Sequence, residues 1–121
     1  MTIDDRLLAG HLRSLNTSVV GVHLPPGPER DAVTSACREA GKQVVGIDAR
    51  PDLVVTADGA LSDGVVRPLK PEVDAAVPDA RMVIVLRLVG DAPLAPTLDA
   101  YLETEMIEGR DVWLDDLVRT G

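Results

Sequence analysis

Apolar residues recur at helical spacing over residues 3–15, where Ile3, Leu7, Leu8, Leu12 and Leu15 fall close to one stripe. Thr2 suits the N-cap, Asp4 and Asp5 sit in a first turn that favours acids, and Asn16 ends the helix. The pattern then changes period. Residues 18–24, Ser-Val-Val-Gly-Val-His-Leu, read as a buried strand, and Pro25-Pro26-Gly27-Pro28 must leave it because proline cannot donate to a ladder. Ala32, Val33, Ala36, Cys37 and Ala40 return to helical spacing over 29–41, with Gly41 at the C′ position. Residues 43–48 form a second short strand, so the order strand–helix–strand predicts a right-handed parallel crossover.

Residues 51–80 carry weaker signals. Leu53-Val54-Val55 and Gly64-Val65-Val66 read as short strands or a hairpin, with Asp58-Gly59 and Asp63-Gly64 as turn signals. Pro71 opens a short helix over 71–80. Residues 82–89, Met-Val-Ile-Val-Leu-Arg-Leu-Val, make the strongest strand, interrupted only by Arg87. Beyond Pro93 and Pro96, Thr97 caps a helix over about 98–108 that Gly109 stops, and residues 111–119 read as a final short helix with Val112, Trp113, Leu117 and Val118 packing down. No repeat, low-complexity tract or linker divides the 121 residues, so one domain, 1–121, is expected.

Composition sharpens this picture. The chain is 45% apolar but has no Phe, one Trp and one Tyr. Its core must therefore be aliphatic, which suits parallel strands covered by helices. The formal net charge of −8 disfavours nucleic acid and anionic lipid as partners. Cys37 is the only cysteine, which excludes an internal disulfide and a metal site with two or more thiolates, and it reads as a small core residue. No apolar run reaches the roughly 20 residues of a membrane span, and the acidic N-terminus is not that of a signal peptide, so a cytoplasmic protein is expected. Ten Arg against two Lys, with abundant Ala, Val, Asp, Gly and Pro, suggests a high-GC source such as an actinobacterium or its phage.

The order helix, strand, Pro-Gly loop, helix, strand resembles the start of an AAA+-type P-loop ATPase. Pro25-Pro26-Gly27 stand where a GPPGTGKT loop has its PPG. Leu24, Pro28, Glu29, Arg30 and Asp31 replace the residues that hold phosphate and Mg²⁺. Pro28 lacks an N–H to aim at an anion, and Glu29 and Asp31 occupy the helix N-terminus with their own charge. The later strand 82–89, with Gly90-Asp91-Ala92-Pro93, resembles a Walker B strand without its Asp-Glu end; Asp91 is a weak metal candidate or a turn residue. The resemblance implies an α/β three-layer sandwich with a mainly parallel sheet and a truncated P-loop NTPase-like (Rossmann-like) topology, without ATPase activity and without the lid domain.

Three functions follow from the residues. The first is a non-enzymatic interaction or regulatory protein on that degenerate scaffold, for example a phage-encoded modulator, binding a protein partner or itself, with no cofactor and no metal. Its contact surface would be Trp113 rimmed by Asp111, Asp115 and Asp116; a solvated acidic face is the plainer reading. The second is a small nucleotide- or phosphate-metabolite-binding protein using His23, Arg30 and Asp48 at the C-terminal ends of the strands. The third is an enzyme using His23 with an acid, which requires a base within hydrogen-bond reach of a nucleophile or metal.

Overall fold

The computed structural model describes residues 5–62, 65–88 and 104–119. Five strands form one all-parallel sheet: β1 (Val19–Val22), β2 (Gln43–Val45), β3 (Leu53–Ala57), β6 (Met82–Leu86) and β7 (Asp111–Trp113), in the order β2-β1-β3-β6-β7. A separate antiparallel hairpin, β4 (Gly59–Ser62) and β5 (Val65–Pro68), follows β3. Among the described residues the helices are α1 (Asp5–Ser14), α2 (Pro28–Glu39), α3 (Lys70–Ala76) and α4 (Leu114–Arg119), with a 3₁₀ turn at Ile47–Ala49. The α/β class and mainly parallel sheet expected from the sequence are therefore present.

Strand alternation divides the core into two layers. Leu53, Val55 and Ala57 of β3 and Ile84 and Leu86 of β6 face α1, α2 and α4, meeting Leu8, Leu12, Val33, Cys37 and Leu114. Val54, Val83 and Val85 face the other way, onto Val73 and Val77 at α3. Every residue of β3 is buried, because it has neighbours on both edges and both faces. Gly21 of β1 is required by packing: a Cβ there would lie 2.3 Å from Cγ of Pro51.

Both ends of α2 follow local chemistry. Gly27 has φ 155° and ψ −176°, a conformation reserved to glycine, and Pro28 occupies the first turn, where its missing N–H costs nothing. At the other end Gly41 adopts φ 74°, Lys42 N–H donates to the Cys37 carbonyl at 2.8 Å and Gly41 N–H donates to the Arg38 carbonyl at 3.0 Å. This is the Schellman arrangement that absorbs the last helical carbonyls.

Three expectations need correction. Of the two readings for Leu53-Val54-Val55, the short strand holds and the hairpin does not: Leu53–Ala57 forms the middle of the main sheet, and the hairpin pairs β4 with β5. Residues 111–119 are not one helix. Asp111–Trp113 is an edge strand paired with Val83–Val85, and the helix starts at Leu114. Val112 and Trp113 suit a strand, and the free edge of β6 supplies the ladder. The second strand stops at Val45, and Ile47–Ala49 turns as 3₁₀ instead. The helix expected over about 98–108 lies largely outside the described residues.

Candidate functional site at the switch point of the sheet

Within the sheet, β1 has β2 on one side and β3 on the other, so the connections leaving it run in opposite directions. In open α/β sheets this reversal opens a crevice at the C-terminal ends of the two inner strands. Here those ends carry His23 after β1 and Thr56 and Asp58 at β3. The His23 N–H donates to the Val55 carbonyl at 2.9 Å, extending the ladder one residue beyond the strand. Thr56 Oγ1 donates to the His23 carbonyl at 2.9 Å, which ties the two strand ends together. Asp58 is buried and its Oδ1 accepts the Gly59 N–H at 2.8 Å, turning the chain into the hairpin.

Alternation sends the His23 ring toward α3, where Nε2 lies 2.8 Å from Glu72 Oε1. Arg67 of β5 grips the same carboxylate with both Nε and Nη2, each at 2.7 Å. The Arg67 hydrogen bonds hold the Glu72 carboxyl below its ordinary range; partial burial opposes this and the His23 contact assists it. Glu72 in turn raises Arg67. The carboxylate accepts from the ring at Nε2 and so orients the imidazole. The trio joins β1, the hairpin and α3 at one partly open rim. Thr56 is its hydroxyl neighbour, but that hydroxyl is spent on a backbone carbonyl.

The other candidates lie apart. Arg30 stands on the flank of α2, walling a hollow with Thr34 and Arg38. Asp48 sits in the 3₁₀ turn, its carboxylate folded over Gly46. No hydrogen bond or ion pair among the described residues joins His23 to either. Asp91 lies outside the described residues. Trp113 is half-buried, with the Arg87 guanidinium 3.8 Å over its ring, and Arg87 also reaches Asp115 Oδ2 at 3.2 Å. Asp116 is exposed. Asp111 turns inward, its side chain wholly buried. Cys37 is buried and its thiol is pushed up to about 11 by desolvation, which makes it a poor nucleophile. Among the described residues no three His, Cys, Asp or Glu are grouped to hold a metal, and no helix is long and apolar enough to cross a membrane.

A second polar cluster was not visible from sequence. Lys70 is fully buried; its ammonium meets Asp111 Oδ2 at 2.7 Å, both Asp74 oxygens at 2.9 Å and the Glu105 carbonyl at 2.9 Å. Arg110 donates to Asp111 Oδ1 at 2.7 Å and also pairs with Asp74. Burial works to raise the Asp111 carboxyl, but Arg110, Lys70 and the Ile107 N–H outweigh it and the net direction is downward. The cluster fastens α3 to the strand β7. Its local traces are the four-residue spacing of Lys70 and Asp74 and the adjacency of Arg110 and Asp111.

No family model matches the chain. It is 33% identical to an acetyl-coenzyme A synthetase of Methanothrix thermoacetophila over 132 aligned residues, which cover 93% of this chain and 18% of that protein. It is 34% identical to the acetyl-coenzyme A synthetase of Rhodopirellula baltica, over 83% of this chain and 16% of the relative. Among solved structures, an acetoacetyl-CoA synthetase from Streptomyces lividans superposes with a TM-score of 0.68 at 20% identity, covering 94% of this chain and 19% of that one. The chain thus spans less than a fifth of the length of each of these relatives.

These findings overturn the AAA+ resemblance. The similarity extends over nearly the whole chain and leads to acetyl-coenzyme A synthetases, so Pro25-Pro26-Gly27 is not the remnant of an AAA+ P-loop. A P-loop topology is not confirmed. The reading as a non-enzymatic regulator falls with the resemblance, because the relatives are ligases. The alternative of a small nucleotide- or phosphate-metabolite-binding protein has no support from them either.

Proposed function

We propose that this chain is one module of an acyl-coenzyme A synthetase, an enzyme that joins a short carboxylic acid to the thiol of coenzyme A. The observation carrying this reading is the 33% identity to an acetyl-coenzyme A synthetase across 93% of the chain. Because the match covers only 18% of that relative, the activity belongs to the module together with the remainder of such an enzyme. The chemistry of the chain agrees. Thioester formation needs an activated acyl group and a thiol nucleophile, and the chain's own thiol is buried and protonated. What the module contributes is a rigid sheet with a polar rim at its switch point, where Glu72 and Arg67 hold His23 in one orientation.

A chimera tests this. The matching segment of the Methanothrix synthetase is replaced by this chain, and thioester formation is followed with acetate or acetoacetate, coenzyme A and a nucleoside triphosphate. The chimera should form acyl-coenzyme A and the isolated chain should form none. A chimera that melts like its parent yet makes no thioester with either acid would overturn the reading. Thioester formation by the isolated chain would overturn the claim that the remainder is needed.

A further inference from the structure

The two flanks of α2 are treated differently. Val33, Ala36 and Cys37 point into the sheet. Glu39 lies on the flank toward α1, where Arg13 of α1 donates to its carbonyl at 3.1 Å and approaches its carboxylate at 3.6 Å. Arg30, Thr34 and Arg38 recur at four-residue spacing and so share the opposite flank. There they wall a hollow floored by Val22, Val44 and Val45. β2 pairs only with β1 among the described residues, so this flank overhangs an open sheet edge. Neither Arg30 nor Arg38 has a carboxylate partner among the described residues, although the chain carries a net charge of −8.

We propose that this edge docks an extended acidic segment from the remainder of the synthetase, adding as a strand beside β2 with two carboxylates on Arg30 and Arg38. Three observations converge on that occupant. The β2 edge presents backbone groups of the kind that β-augmentation uses. The half-buried Val44 and Val45 offer apolar surface beside it. The spacing fits: eight helical residues separate the two arginines by about 12 Å, and residues four apart on one side of a strand lie about 13 Å apart. The proposal rests on the synthetase reading, since that reading supplies the missing segment.

The test uses the whole chain and ten-residue peptides of alternating Val and Thr. One carries two Glu four residues apart, one two Lys at the same positions, and one two Glu three residues apart, which lie on opposite sides of a strand. Amide shifts of Gln43–Gly46 and Nε signals of Arg30 and Arg38 are followed by NMR. The first peptide should perturb these groups and bind about tenfold more tightly than the other two. R30Q/R38Q, which alters exposed side chains only, should abolish that preference. Perturbation elsewhere, equal binding of all three peptides, or an unchanged preference in R30Q/R38Q would overturn the proposal. An active chimera with no peptide preference would sink the docking edge alone; an inactive chimera with the preference intact would sink the synthetase reading.

Discussion

Replacing Lys70 by methionine removes a charge that, with Asp111, is sealed from water. The ammonium uses its three donors on Asp74, Asp111 and the Glu105 carbonyl. Without it, Asp111 stays fully buried and Asp74 largely so, facing the single charge of Arg110. Removing one partner of a buried pair costs about 3–5 kcal/mol. Arg110 still compensates one carboxylate and Asp74 is about a quarter exposed, which places the cost near the low end, about 3 kcal/mol. With a urea slope of roughly 1.5 kcal/mol/M, the midpoint should fall by about 2 M without a change in slope. Asp111→Asn alone leaves Lys70 and Arg110 against Asp74 and should cost a similar amount. The double variant K70M/D111N leaves the neutral Arg110–Asp74 pair, so it should be more stable than the sum of the singles by about 2 kcal/mol. Singles that each cost less than about 1 kcal/mol, or costs that simply add, would refute a coupled buried cluster.

Gly21→Ala should destabilise by about 1–3 kcal/mol in urea unfolding, because its methyl would meet the Pro51 ring, whereas Gly10→Ala, with no atom within 4 Å, should not. The depressed Asp111 carboxyl contributes stability that is present above its unfolded value of about 3.9 and is lost as pH falls through its lower folded value. D111N should therefore flatten the acid limb of stability below about pH 4, and an unchanged limb would show that Asp111 titrates normally. Cys37 should react with a thiol reagent at pH 8 roughly a hundredfold more slowly in the folded chain than in urea. Arg67→Gln should let the Glu72 carboxyl rise toward its ordinary range, read by side-chain NMR; an unmoved titration would show that the guanidinium does not set it.

The elements built from local signals were legible. Leu8, Leu12 and Val33 mark helix faces that pack down, Gly41 ends α2 where left-handed backbone is needed, and Met82–Leu86 is apolar enough to be central. Such signals lie within a few residues of each other, and sequence carries them directly. Trp113 shows the boundary. Its neighbours fit either a helix or a strand, and the unpaired edge of β6 selected the strand.

What the chain determined by itself is its class: an aliphatic, acidic α/β unit with a parallel crossover and one cysteine buried beyond easy reaction. The strand–loop–helix order around Pro25-Pro26-Gly27 did not determine function, because unrelated α/β proteins share it. Tertiary structure decided which charges are chemistry and which are scaffold. Asp111 and Asp115 look alike in sequence, yet one is sealed against Lys70 and the other reaches Arg87 at the surface. His23 found Glu72 across 49 residues, and Lys70 met the Glu105 carbonyl across 35. No periodicity encodes such pairs; they exist because the parallel sheet brings its strand ends, the hairpin and α3 to one edge.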